Sequence, residues 1–355
     1  MIIIIIPYII WERSKMLSET SSSFWTTLPG LITAVALLLT AITGFYVAVI
    51  LPDNNNGNVT PTMTPTPPTP VPTDTTPDPT SPPPATPTPI PAERLWGPTE
   101  FVTAGTLAGG EQLLYGVPRG GDGVYLHEGA QQWIKVGGPG KMFALDNVGN
   151  LYGLSPDGGG VFRYTGTPMA PWTQVGGPAA TIYAGGSALF ATNPQSGDIY
   201  RYDGKLSPWE RVGNPGRFAV DGNGRLFGVS PDGSSIRAYD AGSKTWQVIA
   251  DQRIAGPIGE LYAGGSSLYA TMGSDADVYR DTGNPNAWIK IGEHGKMFAV
   301  DDSGALYRLS FDGSVIELYS AGTWTKVGEG AEKIFAGGSG RLFATQQGSG
   351  DLVEY

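Results

Sequence analysis

The sequence predicts an all-β fold: a seven-bladed β-propeller of four-stranded antiparallel blades, preceded by one transmembrane helix and a disordered Pro/Thr-rich linker. Three observations carry that prediction. First, the phrase Trp-x-x-Val-Gly returns at Trp133, Trp172, Trp209 and Trp324, with Ile for Val at Trp288 and a looser copy at Trp246. The intervals of about 36 to 42 residues lie in the range where repeats build propellers or solenoids. Second, 52 Gly and only 15% charged residues fit many short strands joined by tight turns. Third, the first ninety or so residues hold one long uncharged stretch and then a Pro/Thr tract, which leaves a single folded unit of about 260 residues.

Met1 to Trp11 is apolar but too short to span a bilayer as a helix, and Pro7 interrupts it. It reads either as a second membrane-dipping segment or as a start set too early, with translation beginning at Met16; the second is preferred. Leu31 to Leu51 is uncharged and rich in Leu, Ala, Ile and Val, which matches the hydrocarbon thickness of a bilayer. A cleaved signal peptide is the rival, but Ile50-Leu51-Pro52-Asp53 offers no small-residue cleavage site. Arg13 and Lys15 precede the span, and no Lys or Arg follows until Arg94. The positive-inside rule then places residues 1–27 in the cytoplasm, the membrane helix at 28–51 and the rest outside the cell. Trp25 and Tyr46 fit as interfacial anchors. Residues 52–93 form the stalk: Val59 to Pro91 is almost entirely Thr and Pro, prefers extended polyproline II and reaches on the order of 100 Å at roughly 3.1 Å per residue. Thr/Pro-rich stalks are often O-glycosylated; PxxP recognition is the sharper alternative.

Residues 94–355 form the propeller. In one unit Phe218 to Asp221 is the first strand, the Asn223-Gly224 turn favours a tight hairpin, and Leu226 to Ser230 is the second strand. Pro231-Asp232-Gly233 turns into the alternating strand Ile236 to Tyr239, and Trp246 to Ile249 completes four strands. The units starting at Lys141 and Lys296 repeat this. A second type, marked by Tyr/Phe-Ala-Gly-Gly-Ser ending at Ser187, Ser266 and Ser339, alternates with it, and a divergent copy from Phe101 to Gly137 opens the array. Counting Trp96 with the six later tryptophans gives seven units. The last stops at Tyr355, in the third-strand position, while Leu95-Trp96 has no unit of its own. The N-terminal segment is therefore expected to supply the missing strand, because an open edge would expose unpaired backbone groups.

The Trp-x-x-Val-Gly phrase, followed by an apolar strand and then Leu-aromatic-Gly-Val, resembles the tectonin repeat and, more loosely, the tachylectin β-propellers, over roughly residues 95 to 355. That resemblance implies a sugar-binding lectin of innate defence with pockets near blade junctions.

Composition narrows the chemistry. With no Cys, disulfides, thiol nucleophiles, thiolate metal sites and a lipidated Cys anchor are excluded. His127 and His294 are the two histidines, fall in unrelated repeat positions and read as surface residues; no metal site and no cofactor is expected. A net charge of −10 without a basic run argues against nucleic acid. The regular tryptophans read as inter-blade packing in preference to sugar platforms. Ser155-Pro-Asp157-Gly-Gly-Gly-Val-Phe162 resembles an Asp-box, with looser copies at Ser230, Asp232 and at Ser310, Asp312; a Ser/Asp turn satisfying its own backbone is the preferred structural reading. The turns led by Asp146, Asp221 and Asp301 lack the ligand series of a calcium loop and read as hairpins. Repeats that resemble one another offer no asymmetric catalytic position, so no catalytic residue is expected, although a glycosidase needs only two carboxylates. Alternating strand direction puts Ser155, Asp157, Ser230, Asp232, Ser310 and Asp312 on one face, as candidate ligand contacts. The expected function is a membrane-anchored, cell-surface, lectin-like module that binds glycans through repeated face sites and is not an enzyme. The alternative is a protein-interaction scaffold on the cell surface.

Overall fold

The computed structural model describes residues 92–107, 110–167, 171–205 and 209–355. The cytoplasmic segment, the span at 28–51 and nearly all of the stalk expected from the sequence lie outside the described residues.

The described chain is all β, without a helix. It opens with β1 (Glu93–Thr106), β2 (Gln112–Pro118), β3 (Val124–His127) and β4 (Trp133–Gly137). Five antiparallel four-stranded sheets follow in chain order. The first is β5 (Met142–Leu145), β6 (Leu151–Leu154), β7 (Val161–Tyr164) and β8 (Trp172–Gly176). The second is β9 (Thr181–Gly185), β10 (Ala188–Thr192), β11 (Ile199–Arg201) and β12 (Glu210–Gly213). The third is β13 (Arg217–Val220), β14 (Leu226–Val229), β15 (Ser235–Asp240) and β16 (Thr245–Asp251). The fourth is β17 (Ile258–Gly264), β18 (Ser267–Met272), β19 (Asp277–Asp281) and β20 (Trp288–Gly292). The fifth is β21 (Met297–Val300), β22 (Leu306–Leu309), β23 (Val315–Ser320) and β24 (Thr323–Glu329). The chain ends with β25 (Ala331–Gly337), β26 (Arg341–Gln346) and β27 (Asp351–Glu354).

β1 serves two sheets. Its first half pairs with β27, Trp96 opposite Leu352, and its second half pairs with β2, Thr103 opposite Tyr115. The strand missing from the last sheet thus comes from the N-terminal segment, as the Leu95-Trp96 orphan implies. First strands of successive sheets are neighbours, from β5 through β9, β13, β17 and β21 to β25, and β1 touches both β25 and β5. Each sheet hides its apolar face on the next. In one such layer Phe227, Val229 and Ile236 of the third sheet pack with Leu268, Met272 and Trp288 of the fourth. Phe190, Phe298 and Phe343 are among the largest fully buried side chains.

The repeated phrase has a mechanical explanation. In each sheet the pairing of third and fourth strands slips by one residue, as between Val161/Gly176 and Phe162/Gln174, so Val175 stands as a bulge. A bulged residue drops out of the ladder and leaves its backbone groups for other partners. Its carbonyl accepts the indole N–H of the next sheet's tryptophan: Trp209 Nε1 donates to Val175 O at 2.8 Å, Trp172 to Val136 at 2.8 Å, Trp246 to Val212 at 2.6 Å and Trp324 to Ile291 at 2.7 Å. The glycine after the bulge makes room for that ring. A Cβ on Gly176 would stand 2.8 Å from Trp209 Cζ2, and one on Gly292 would stand 2.8 Å from Trp324 Nε1. Where the phrase is loose, Ala250 replaces the glycine, and Trp288 Nε1 to Ile249 O lengthens to 3.4 Å.

The last sheet corrects the tryptophan count. There the bulge is Leu95, whose carbonyl accepts Trp133 Nε1 at 3.3 Å. Trp96 therefore occupies the glycine position and stacks on Trp133 with ring centroids 4.2 Å apart. It is not a seventh copy of the repeat tryptophan. Tyr355 takes the indole's place over Gly328 and donates its hydroxyl to Glu329 O at 2.8 Å.

Candidate functional site

The two ends of the sheets carry different turns, and both link neighbours. At one end the Asp-led turn between first and second strands meets the Gly-Gly turn of the next sheet: Asn147 N donates to Gly186 O at 2.8 Å and Gly222 N to Gly265 O at 2.9 Å. Asp146, Asp221 and Asp301 are buried beneath these turns. Each uses Oδ1 to accept the backbone N–H groups two and four residues on, for Asp221 from Asn223 and Arg225, both at 2.9 Å. Burial pushes the Asp146 carboxyl above its ordinary range, against the hydrogen bonds of the Asn150 side chain and of the turn. These are hairpin locks.

At the other end lie the six candidate contacts. Ser155, Ser230 and Ser310 open tight turns closed by Gly158, Gly233 and Gly313, whose φ values of +72°, +70° and +74° suit glycine. The serine hydroxyl donates to the aspartate Oδ1, at 2.6 Å for Asp157 and Asp232 and 2.7 Å for Asp312. It also accepts the backbone N–H five residues on: Gly160, Ser235 and Val315 respectively. Ser155 and Ser230 are buried and Ser310 is half-buried, so the serines belong to the turn's interior. The aspartates are exposed. Oδ1 is committed to the turn, while Oδ2 carries no hydrogen bond among the described residues.

These hydrogen bonds hold the three carboxyls below their ordinary range. Asp157 is lowered by Ser155 and the Gly159 N–H. In the other two copies a serine replaces Gly159, and its hydroxyl adds a bond at 2.8 Å from Ser234 and 2.7 Å from Ser314. Asp232, bonded by Ser230 and then Ser234, and Asp312, bonded by Ser314 and Ser310, are drawn down to about 2. The glycine carbonyls of the three turns accept Ala179, Ile258 and Ala331 N–H, each at 2.9 Å, which ties the turn to the next sheet. The three aspartates sit on alternate sheets, on one face, and are not brought together.

The aromatic partners are distributed otherwise. The repeat tryptophans have their N–H groups committed to the neighbouring sheet, which is the packing role the sequence favoured. Tyr152 and Tyr307 are buried with hydroxyls on Asp146 and Asp301. His294 is exposed as expected, but His127 is half-buried against Trp133, with ring centroids 4.8 Å apart, and burial followed by Arg341 lowers its pKa. Sequence reasoning missed Phe311, which is 62% exposed and meets the His294 ring at 4.7 Å. Aligning the units would have found both: Phe311 stands where Pro156 and Pro231 stand, and His294 where Pro139 and Pro215 stand. Among the described residues no cluster of three His, Asp or Glu is placed to hold a metal ion.

Repeated four-stranded antiparallel sheets, with first strands adjacent in a closed series, define a β-propeller repeat protein. Solved structures agree on that fold. The propeller domain of Cps50 (Swd1) from Myceliophteria thermophila is 12% identical with a TM-score of 0.53, over 74% of this chain and 97% of that one. YCF48 bound to D1 peptide is 15% identical with a TM-score of 0.51, over 76% and 96%. Virginiamycin B lyase from Staphylococcus aureus is 11% identical with a TM-score of 0.53, over 74% and 97%. Comparison with protein-family models gives no match, and comparison with curated proteins gives none.

Proposed function

We propose that this chain is a membrane-anchored, cell-surface binding module: a seven-bladed, tectonin-like propeller that recognises glycans and catalyses no reaction. In this reading residues 28–51 cross the membrane, residues 52–93 form the stalk, and the propeller stands outside the cell. The observation that carries the glycan reading is the set of three exposed, ionised carboxylates on one face, each with one oxygen fixed in a turn and the other open. A fixed carboxylate is a strong acceptor for sugar hydroxyls. Three equivalent weak contacts, presented by many copies on one membrane, gain strength by multivalency. Equivalent turns also fit binding better than catalysis, which needs one distinct arrangement of groups. A protein partner is the second reading, favoured by the propeller neighbour that holds a bound peptide.

The test is a glycan panel read with the full chain. Substituting Asp157, Asp232 and Asp312 together by Asn is expected to weaken glycan binding without unfolding the domain, since exposed turn positions cost little stability. Capture of one surface protein with no glycan bound would replace the lectin reading by the scaffold. Protease added to intact cells is expected to release a soluble fragment of about 260 residues; a domain protected until lysis would reverse the orientation.

A further inference from the structure

On the carboxylate face the sheet β21–β24 departs from its two siblings in carrying a pair of aromatic rings. In the sheets β5–β8 and β13–β16 the serine turn carries a proline, Pro156 or Pro231, and the loop leading into the sheet carries another, Pro139 or Pro215. In the sheet β21–β24 both are replaced by rings, Phe311 in the turn and His294 in the entering loop. The two replacements touch, edge to face at 63° with centroids 4.7 Å apart. The backbone they decorate is unchanged. Ser310 and Asp312 keep the turn's hydrogen bonds, and Gly313 O still accepts Ala331 N–H at 2.9 Å. The turn therefore folds with proline or with phenylalanine, and the aromatic pair answers no structural need that the sibling sheets leave unmet.

Phe311 is also the most exposed large apolar side chain of the described residues. The other exposed ones lie elsewhere: Ile134, Val248 and Ile289 on the fourth strands, and Val148 in a turn at the opposite end of the sheets. Among the described residues, no other exposed large apolar side chain stands on its end of the sheets. Its neighbours in the turn are Ser310, Asp312 and Ser314, all polar.

We infer that Phe311, steadied by His294, is the principal sugar-stacking platform of this propeller, with the open Oδ2 of Asp312 as the adjacent hydroxyl acceptor. The ligand class is a pyranose, which offers an apolar C–H face to an aromatic ring and hydroxyls at its rim. The ring supplies flat apolar contact area at little conformational cost, and the ionised carboxylate beside it is a strong hydrogen-bond acceptor. This rests on the glycan reading and assigns it one dominant site in place of three equal ones.

The experiment uses the full chain in detergent and immobilised glucose, galactose, mannose and N-acetylglucosamine, alone and as short oligomers. The double variant Phe311→Pro with His294→Pro restores what the sibling sheets carry, so its fold is expected to survive; the melting curve checks that. Binding should fall at least tenfold in this variant. Phe311→Leu, which stays apolar but loses the flat ring, should lose binding as well, while Phe311→Trp should retain or strengthen it. Equal binding by wild type, the double variant and Phe311→Leu would overturn the platform and leave the three-turn glycan reading standing. No binding by the wild-type chain to any of these sugars would overturn both.

Discussion

Substituting Gly176 by Ala isolates the contact that joins neighbouring sheets. The added methyl would lie 2.8 Å from Cζ2 and 3.0 Å from Cε2 of Trp209, well inside contact distance. The indole has little freedom to retreat, because Nε1 donates to Val175 O at 2.8 Å and Tyr202 packs against it at 5.2 Å. Overpacking of this kind costs about 1–3 kcal/mol. Stretching the indole hydrogen bond adds about 1 kcal/mol. The reduced freedom of the unfolded chain returns roughly 0.4–1 kcal/mol. A net loss of about 2 kcal/mol is expected, near the middle of that range, since Ala250 shows that one junction accepts a methyl with its indole bond drawn out to 3.4 Å. In a domain of this size that lowers Tm by roughly 4–8 °C. The neighbouring Gly177 is the control, as a Cβ there meets nothing within 4 Å. Urea unfolding followed by tryptophan fluorescence should show a lower midpoint for Gly176→Ala with unchanged slope, and no loss for Gly177→Ala. Equal stability of the two variants would refute the steric account of the Val-Gly phrase.

Trp246→Phe should cost about 1 kcal/mol more than Trp288→Phe, because the indole bond lost is 2.6 Å long in the first and 3.4 Å in the second; equal losses in chemical denaturation would count against the bond. Deleting residues 93–98 removes the closing strand with buried Leu95 and should lower Tm on the order of 10 °C, given about 1.5–3 kcal/mol for each large apolar side chain and the Tm scaling of such domains; an unchanged melt would mean the last sheet holds without it. The Asp232 carboxyl should titrate at about 2 by NMR and move up in Ser230→Ala. Its folded pKa lies below the unfolded value near 3.9, so its contribution to stability is present above about pH 4 and lost as pH falls toward 2. A native value near 4 would contradict the turn hydrogen bonds.

The repeat was legible because each junction spends the same few residue types. A tryptophan needs a bulge carbonyl to bond and a glycine to lie on, so Trp, Val and Gly recur at fixed spacing. The same logic hid the closing strand's register. Trp96 looks like one more copy, yet the bulge is Leu95, and only pairing with Leu352 shows that the ring sits in the glycine's place. At the candidate face the acidic residues could be read directly, since Ser-x-Asp-Gly is a local turn whose hydrogen bonds follow from its sequence. The depth of burial of Ser155 and Ser230 could not, because a four-residue motif does not show how its turn sits among the strands around it. Phe311 and His294 lie 17 residues apart, and their contact depends on which turns share an end of the sheet.

The double service of β1 sets a timetable for synthesis. Arg94 finds its ion-pair partner Asp351 257 residues later, at a loop-closure cost roughly 3 kcal/mol above that of a ten-residue hairpin. At translation rates of about 5–20 residues per second, Leu95 and Trp96 wait roughly 10–50 s for β27 to be made. During that interval the second half of β1 has β2 beside it, while the first half is an unpaired apolar edge on a nascent chain. Arg94 flanks that edge with a charge, which discourages strand addition by another copy until β27 arrives.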